Sequence, residues 1–157
     1  IRDRETVYQK NVLPNLLDKL YEVVYILLIM NVTPIFAVAI LLPLLTRSQW
    51  LQILIPVSLM LFKDFFIGFH SLMLPVYACL VMFSLLGRYI KPIPATFVGV
   101  LIWHLVVNFS VWYLYGGNLL QTYIQAIPFD FNLLVSTLVC VLIGKLCINL
   151  YSRYYSY

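Results

Sequence analysis

Long runs without a charged residue divide this chain of 157 residues. A membrane-spanning helix needs about 20 mostly apolar residues, and most of these runs come close to that length or exceed it. The uncharged runs are 23–46, 48–62, 71–87, 92–129 and 131–144. They predict helical crossings near 23–45, 50–68, 71–87, 94–115 and 131–150.

The run 92–129 is too long for a single crossing. Its 38 residues would form a helix of about 57 Å, whereas the hydrocarbon core is about 30 Å thick. We expect a break at Gly116-Gly117-Asn118, because glycine and asparagine favour turns. The stretch 118–128 is too short to span alone. It forms an interfacial segment, a re-entrant segment or part of a tilted sixth helix.

Composition supports a membrane protein. Hydrophobic residues make up 63% of the chain, mean hydropathy is +0.95, and only ten Lys or Arg and six Asp or Glu occur. A soluble domain needs about a quarter charged residues. This composition excludes a soluble enzyme, a disordered segment and a disulfide scaffold. The predicted fold is an all-α membrane bundle of five or six transmembrane helices.

We predict three regions along the chain. Residues 1–22 have mixed charge and helical spacing of apolar positions, which is typical of an amphipathic lead-in at the membrane interface. Residues 23–151 form the transmembrane bundle, and residues 152–157 form an aromatic tail. The lead-in lacks the composition of a secretory signal or transit peptide.

The number of crossings decides the predicted orientation. With six crossings and an inside N-terminus, seven basic residues lie inside and three outside; with five crossings the count is five against five. The positive-inside rule favours the asymmetric arrangement. We therefore expect six segments, with both termini on the cytoplasmic or matrix side.

Polar groups within apolar spans are costly, so each is a candidate for function. Pro34 is expected to kink the first span and free the carbonyl of Met30. We expect one of two roles for Asn31. Either Asn31 and the freed carbonyl of Met30 face a small polar ligand, or Asn31 forms a hydrogen bond with a neighbouring helix.

The segment 63–70 is the most informative stretch for function, since it contains Lys63, Asp64 and His70. Lys63 and Asp64 are adjacent on a helix and point about 100° apart, so we expect no direct ion pair between them. Asp64 is expected near water or headgroups at the end of the second span. It binds a solute or relays a proton, or it braces a turn at Gly68.

Histidine in the spans raises the question of a metal. Along the helices, His70 and His104 differ in depth by roughly 14 Å, too far to share one ion. We predict no metal and no cofactor. His104, Asn108 and Trp112 lie near one helix face. This stripe lines a ligand cavity or forms a hydrogen-bonded contact between helices.

Other residues indicate anchoring rather than chemistry. Arg88, Lys91 and Arg153 are predicted to contact lipid headgroups at the interface. No nucleophile motif, phosphate loop or nucleic-acid patch occurs. We therefore predict a protein that is not an enzyme and does not bind nucleic acid.

Several clusters, in order, resemble an uncharacterised bacterial family of proposed membrane transport proteins over roughly residues 31–135. That family is similar to the S components of energy-coupling-factor vitamin transporters, which are six-helix proteins that bind a vitamin or metal and dock on an energising module. In this chain, Asp130 and Phe131 replace the family's usual aromatic and basic residues. The matching clusters are Asn31-Val32-Thr33-Pro34-Ile35 with Ala37 and Ala39; Asp64 with Gly68-Phe69-His70; Val76-Tyr77; Leu85-Leu86-Gly87-Arg88; Asn108-Phe109 with Val111-Trp112; and Ala126-Ile127-Pro128-Phe129 with Asn132.

The resemblance implies a compact bundle with a ligand cavity lined by Asn31, Asp64 and Asn108. With His104 added, these form the predicted ligand-binding set. The resemblance also implies that small residues on the first helix, here Ala37 and Ala39, dock on the energising module.

Two functions are expected from these observations. We slightly favour a non-catalytic accessory subunit, recruited from the transport family into a large membrane complex of the respiratory or ATP synthase type. It would contact other membrane subunits and lipids. The alternative is a capture component for a small, vitamin-like solute. The expected location is the mitochondrial inner membrane or a bacterial inner membrane.

Overall fold

The computed structural model describes residues 34–154, without the side chains of the last two. The predictions for Asn31, for the lead-in 1–22, for the first part of the first crossing and for the Arg153 side chain lie outside this description. The described residues contain no strand and form five helices: α1 (Pro34–Leu45), α2 (Gln49–Ile67), α3 (Met73–Tyr89), α4 (Pro92–Tyr115) and α5 (Leu119–Tyr154).

The predicted break at Gly116-Gly117-Asn118 is confirmed. Gly116 and Gly117 have φ angles of 73° and 98°, in the region that favours glycine. The Gly116 amide donates to the carbonyl of Trp112 at 2.8 Å. The indole of Trp112 donates to the carbonyl of Gly117 at 3.1 Å and so bridges the turn. Trp112 thus lies in the last turn of α4 and bonds the connection to α5.

The predicted separation of 118–128 from a crossing at 131–150 is wrong. α5 runs without interruption for 36 residues and includes Pro128. Proline costs a helix one backbone hydrogen bond, but apolar residues continue on both sides and membrane helices tolerate such a loss. No separate sixth segment therefore lies between α4 and α5. With five crossings the basic count would be five against five, which favours neither orientation.

α1 lies at the centre of the described helices. It contacts all four of the others, whereas α2 contacts neither α4 nor α5. Ala39 and Ile40 are fully buried, and Ala37 is 3% exposed. The two alanines thus face the inside of the bundle and leave no small-residue face for an outer partner, in contrast to what the resemblance implied for them.

Glycine allows two of these helices to approach closely. A Cβ added at Gly87 of α3 would overlap the backbone carbonyl of Ile40 in α1. Small residues are typical of close contacts between membrane helices, because apolar burial gives little driving force in lipid. Next to this contact, the Phe36 ring packs 4.7 Å from Phe83 and 5.1 Å from Trp103.

Three helices are long and apolar enough to cross a membrane: Gln49–Ile67, Pro92–Tyr115 and Leu119–Ser152. α1 and α3 are shorter apolar helices. Large hydrophobic side chains are exposed along the outer faces of the long helices. In water such a surface would be costly, but in lipid it is the expected one. The chain is an all-α integral membrane protein.

We expect Gly87→Ala to destabilise the fold more than Gly144→Ala. The added methyl at 87 meets rigid backbone, while at 144 it meets the terminal carbon of the flexible Leu41 side chain. Overpacking of this kind costs about 1–3 kcal/mol. Thermal unfolding of the purified variants in detergent measures the difference. Equal midpoints would contradict the proposed close contact of α1 and α3.

Candidate functional site

The carboxylate of Asp130 is the centre of a polar cluster between α4 and α5. Its Oδ1 accepts a hydrogen bond from the Trp103 indole at 3.0 Å. Its Oδ2 accepts from Asn108 at 2.9 Å and lies 2.6 Å from Nδ1 of His104. These four residues are defined here as the Asp130 cluster.

The geometry assigns the protons in the cluster. Asn108 Nδ2 has two protons, which go to the carbonyl of His104 at 2.8 Å and to Asp130. Nδ1 of His104 therefore carries a proton and donates it to Asp130. The 3.1 Å approach of Asn108 Nδ2 to His104 Nδ1 is then a close contact between two donors.

Helix spacing brings the α4 members of the cluster together. His104 and Asn108 are four residues apart, so their side chains lie on one face one turn apart. α5 returns antiparallel after a short turn and places Asp130 opposite them. Tyr123 of α5 donates its hydroxyl to the carbonyl of Leu105 at 2.8 Å, and its ring meets the edge of the imidazole at 5.2 Å.

The cluster lies deep along the helices but is not completely enclosed. His104 is near the middle of the 24-residue α4. Its side chain is 23% exposed, whereas that of Asp130 is 12% exposed. Nε2 of His104 has no hydrogen-bond partner among the described residues. With Nδ1 held by a carboxylate, Nε2 is the ring nitrogen left to form a hydrogen bond with another molecule.

A second buried acid lies between α2 and α3. Asp64 lies in the last turn of α2, near the end of the span as predicted, but it is only 2% exposed, so its side chain is buried in the protein and does not reach water or headgroups. Its Oδ2 accepts from the Tyr77 hydroxyl at 2.9 Å. Its Oδ1 lies 3.9 Å from Nζ of Lys63, which contradicts the prediction of no ion pair. The long, flexible lysine side chain curves back over the 100° that separates the two positions.

The predicted ligand-binding set is only partly brought together. His104 and Asn108 meet at Asp130, but Asp64 lies on α2, which contacts neither α4 nor α5. Asn31 lies outside the described residues. His70 is exposed in the connection between α2 and α3. The predicted convergence on Asp64 is therefore not found.

Asp130 is not among the site residues predicted from the sequence. The signal was present, because Asp130 is the only charged residue between Lys91 and Lys145. A lone acid in a run of that length has to find partners inside the membrane. Another polar group on the buried face of α5 is Thr137, whose hydroxyl has no hydrogen-bond partner in the described region. Thr137 follows Asp130 by two helical turns and shares its face.

The predicted anchors Arg88 and Lys91 flank the short connection between α3 and α4, and both are exposed. Arg47 lies between α1 and α2, and Lys145 follows Gly144, which packs on Leu41 near the end of α1. These four basic residues therefore lie at the same end of the bundle, defined here as the basic end. No Asp or Glu of the described residues lies there.

No curated protein and no solved structure matches the chain. One family model does match, over residues 9–155, and thus includes all five helices and both buried acids. The chain belongs to DUF6580, a family of unknown function.

Proposed function

We propose that this protein is a capture component for a small polar solute in membrane transport, and that His104 and Asp130 form its binding group. The observation that carries the proposal is the buried Asp130 carboxylate, which orients an imidazole and leaves Nε2 unpaired among the described residues. Buried ionisable groups inside membrane proteins are functional candidates by default.

The contacts of His104 indicate the class of solute. The hydrogen bond to Asp130 uses Nδ1, so Nε2 is the ring nitrogen left to bond an N–H or O–H group of a solute. The Tyr123 ring beside the imidazole adds an aromatic wall. A small heterocycle with a polar hydrogen fits both features, consistent with the vitamin-like solute implied by the resemblance to S components.

Asp130→Asn is the sharpest test of this site. The substitution keeps the shape but removes the charge that holds the His104 tautomer. We expect solute affinity to fall about tenfold or more, the loss typical of one charge-assisted hydrogen bond. The measurement is the thermal shift of the purified protein in detergent with a panel of water-soluble vitamins.

Two comparisons make that result interpretable. Asp64→Asn carries the same chemical change at the other buried acid. Loss of binding only at Asp130 supports the site between α4 and α5, and loss only at Asp64 would place the site at α2 and α3. If the wild-type protein responds to no solute of the panel, the proposal for vitamin-like solutes fails.

A second candidate is the non-catalytic accessory subunit of a large respiratory or ATP synthase complex, in a mitochondrial or bacterial inner membrane. Three observations favour it. α5 has 36 residues, or about 54 Å, and exceeds a hydrocarbon core of about 30 Å. Beyond Gly144, Leu146 and Leu150 are 59% and 57% exposed. Burial of Ala37 and Ala39 also removes the outer face on which an energising module would dock.

Native gel electrophoresis of gently solubilised source membranes, with mass spectrometry, separates the two candidates. An accessory subunit migrates at several hundred kilodaltons together with respiratory or synthase subunits. A capture component migrates near its own 18.2 kDa plus detergent, or with an ATP-binding-cassette pair. Migration as a free monomer would contradict the accessory role.

A further inference from the structure

A small polar pocket lies between α2 and α3 at the basic end. Its volume is about 60 Å³, several times the roughly 10–15 Å³ that one water molecule requires. Its polar lining consists of Gln49, Gln52, Ser84 and Arg88. Leu85 and Tyr89 continue it toward the exposed apolar surface.

Arg88 is held in this pocket by neutral groups. Its Nη1 donates to Oε1 of Gln52 at 3.4 Å. With the amide oxygen of Gln49 turned toward it, Nη2 donates to that oxygen at 2.9 Å. Gln52 is 4% exposed, and its own amide donates to the carbonyl of Thr46 at 2.7 Å. The two glutamines orient the guanidinium without neutralising its charge.

The surroundings of Arg88 favour an anion. None of the described carboxylates forms an ion pair with it, since both are engaged elsewhere. Arg47, Lys91 and Lys145 lie at the same end of the bundle. A guanidinium has five donors in a planar fork that matches a phosphate. The two glutamine contacts leave donors for such a group.

The position of the pocket selects a lipid as the source of the phosphate. Trp50 at the start of α2 and Tyr89 at the end of α3 are each 76% exposed. Exposed Trp and Tyr at helix ends are typical of the headgroup level of a membrane. The pocket thus opens where headgroups lie, with the exposed side chains of Leu85 and Leu54 beside the path of an acyl chain.

We propose that Arg88, Gln49 and Gln52 form a specific binding site for the phosphate of an anionic phospholipid. This goes beyond interfacial anchoring. The preference for an anionic lipid comes from one arginine in a polar pocket and not from the summed charge of the basic end. The site is distinct from the proposed solute site, since none of the residues that line the pocket belongs to the Asp130 cluster.

The test compares lipid binding by the full chain and two variants. Purified protein in a non-ionic detergent is titrated with dioleoyl phosphatidylglycerol or with dioleoyl phosphatidylcholine, and bound lipid is counted by native mass spectrometry. We expect the wild type to prefer phosphatidylglycerol. Arg88→Gln should weaken that binding about tenfold, as for loss of one charge-assisted pair. Arg47→Gln removes the same charge outside the pocket and should change binding by less than about threefold.

The possible results separate the alternatives. Equal losses in the two variants would mean diffuse attraction by the basic end and would overturn the site. Full competition by inorganic phosphate at millimolar concentration would identify free phosphate as the ligand and overturn the lipid. If Arg88→Gln does not fold, Arg88→Lys keeps the charge but loses the planar fork, and unchanged lipid preference there would also overturn the proposal.

Discussion

The cost of an unpaired polar group in hydrocarbon constrains this structure more than any other factor. No water is present in the bilayer core to satisfy a carboxylate, so each buried acid must find donors within the protein. Asp130 does so with three side chains of α4, and Asp64 with Tyr77 and Lys63. Each acid therefore links two neighbouring helices and determines which of their faces meet.

Close packing around α1 is the second constraint on how the helices associate. Apolar side chains gain little by leaving lipid for another apolar surface, so helix association depends on fit. Leucine and aromatic residues dominate this chain, yet three of its six glycines lie at tight contacts between helices. Gly87 lies against Ile40, and Gly99 lies against the Phe83 ring. Replacing the scarce glycines would change the fold more than many changes on the lipid-facing surface.

The polar regions of the two proposed sites are held in different ways. In the Asp130 cluster a carboxylate contacts three polar side chains of α4, and Nε2 of His104 has no hydrogen-bond partner among the described residues. In the Arg88 pocket a charge is oriented by neutral amides and keeps its attraction for an anion. The first arrangement suits recognition deep in the bundle, and the second suits recognition of a headgroup at the membrane surface.

Much of the fold could be predicted from the chain alone. Uncharged runs indicated helical membrane segments, because the polar backbone of an apolar segment has to satisfy its own hydrogen bonds in lipid. Gly116-Gly117 marked the turn before α5. The continuity of α5 through Pro128 could not be predicted, since the effect of a proline depends on what surrounds it. Half of the Asp130 cluster was accessible from the spacing of His104 and Asn108 on one face.

Asp130, the partner of His104 and Asn108, could be identified only from the tertiary structure. Spacing along a helix shows which side chains share a face, but not which side chain of another helix meets them. Only the packing of α5 against α4 placed Asp130 between Trp103, His104 and Asn108, and only the absence of contact between α2 and α4 separated Asp64 from them. Local sequence determined the helices and the costly charges inside them; long-range packing decided which groups satisfy each charge, because pairing requires proximity in space rather than along the chain.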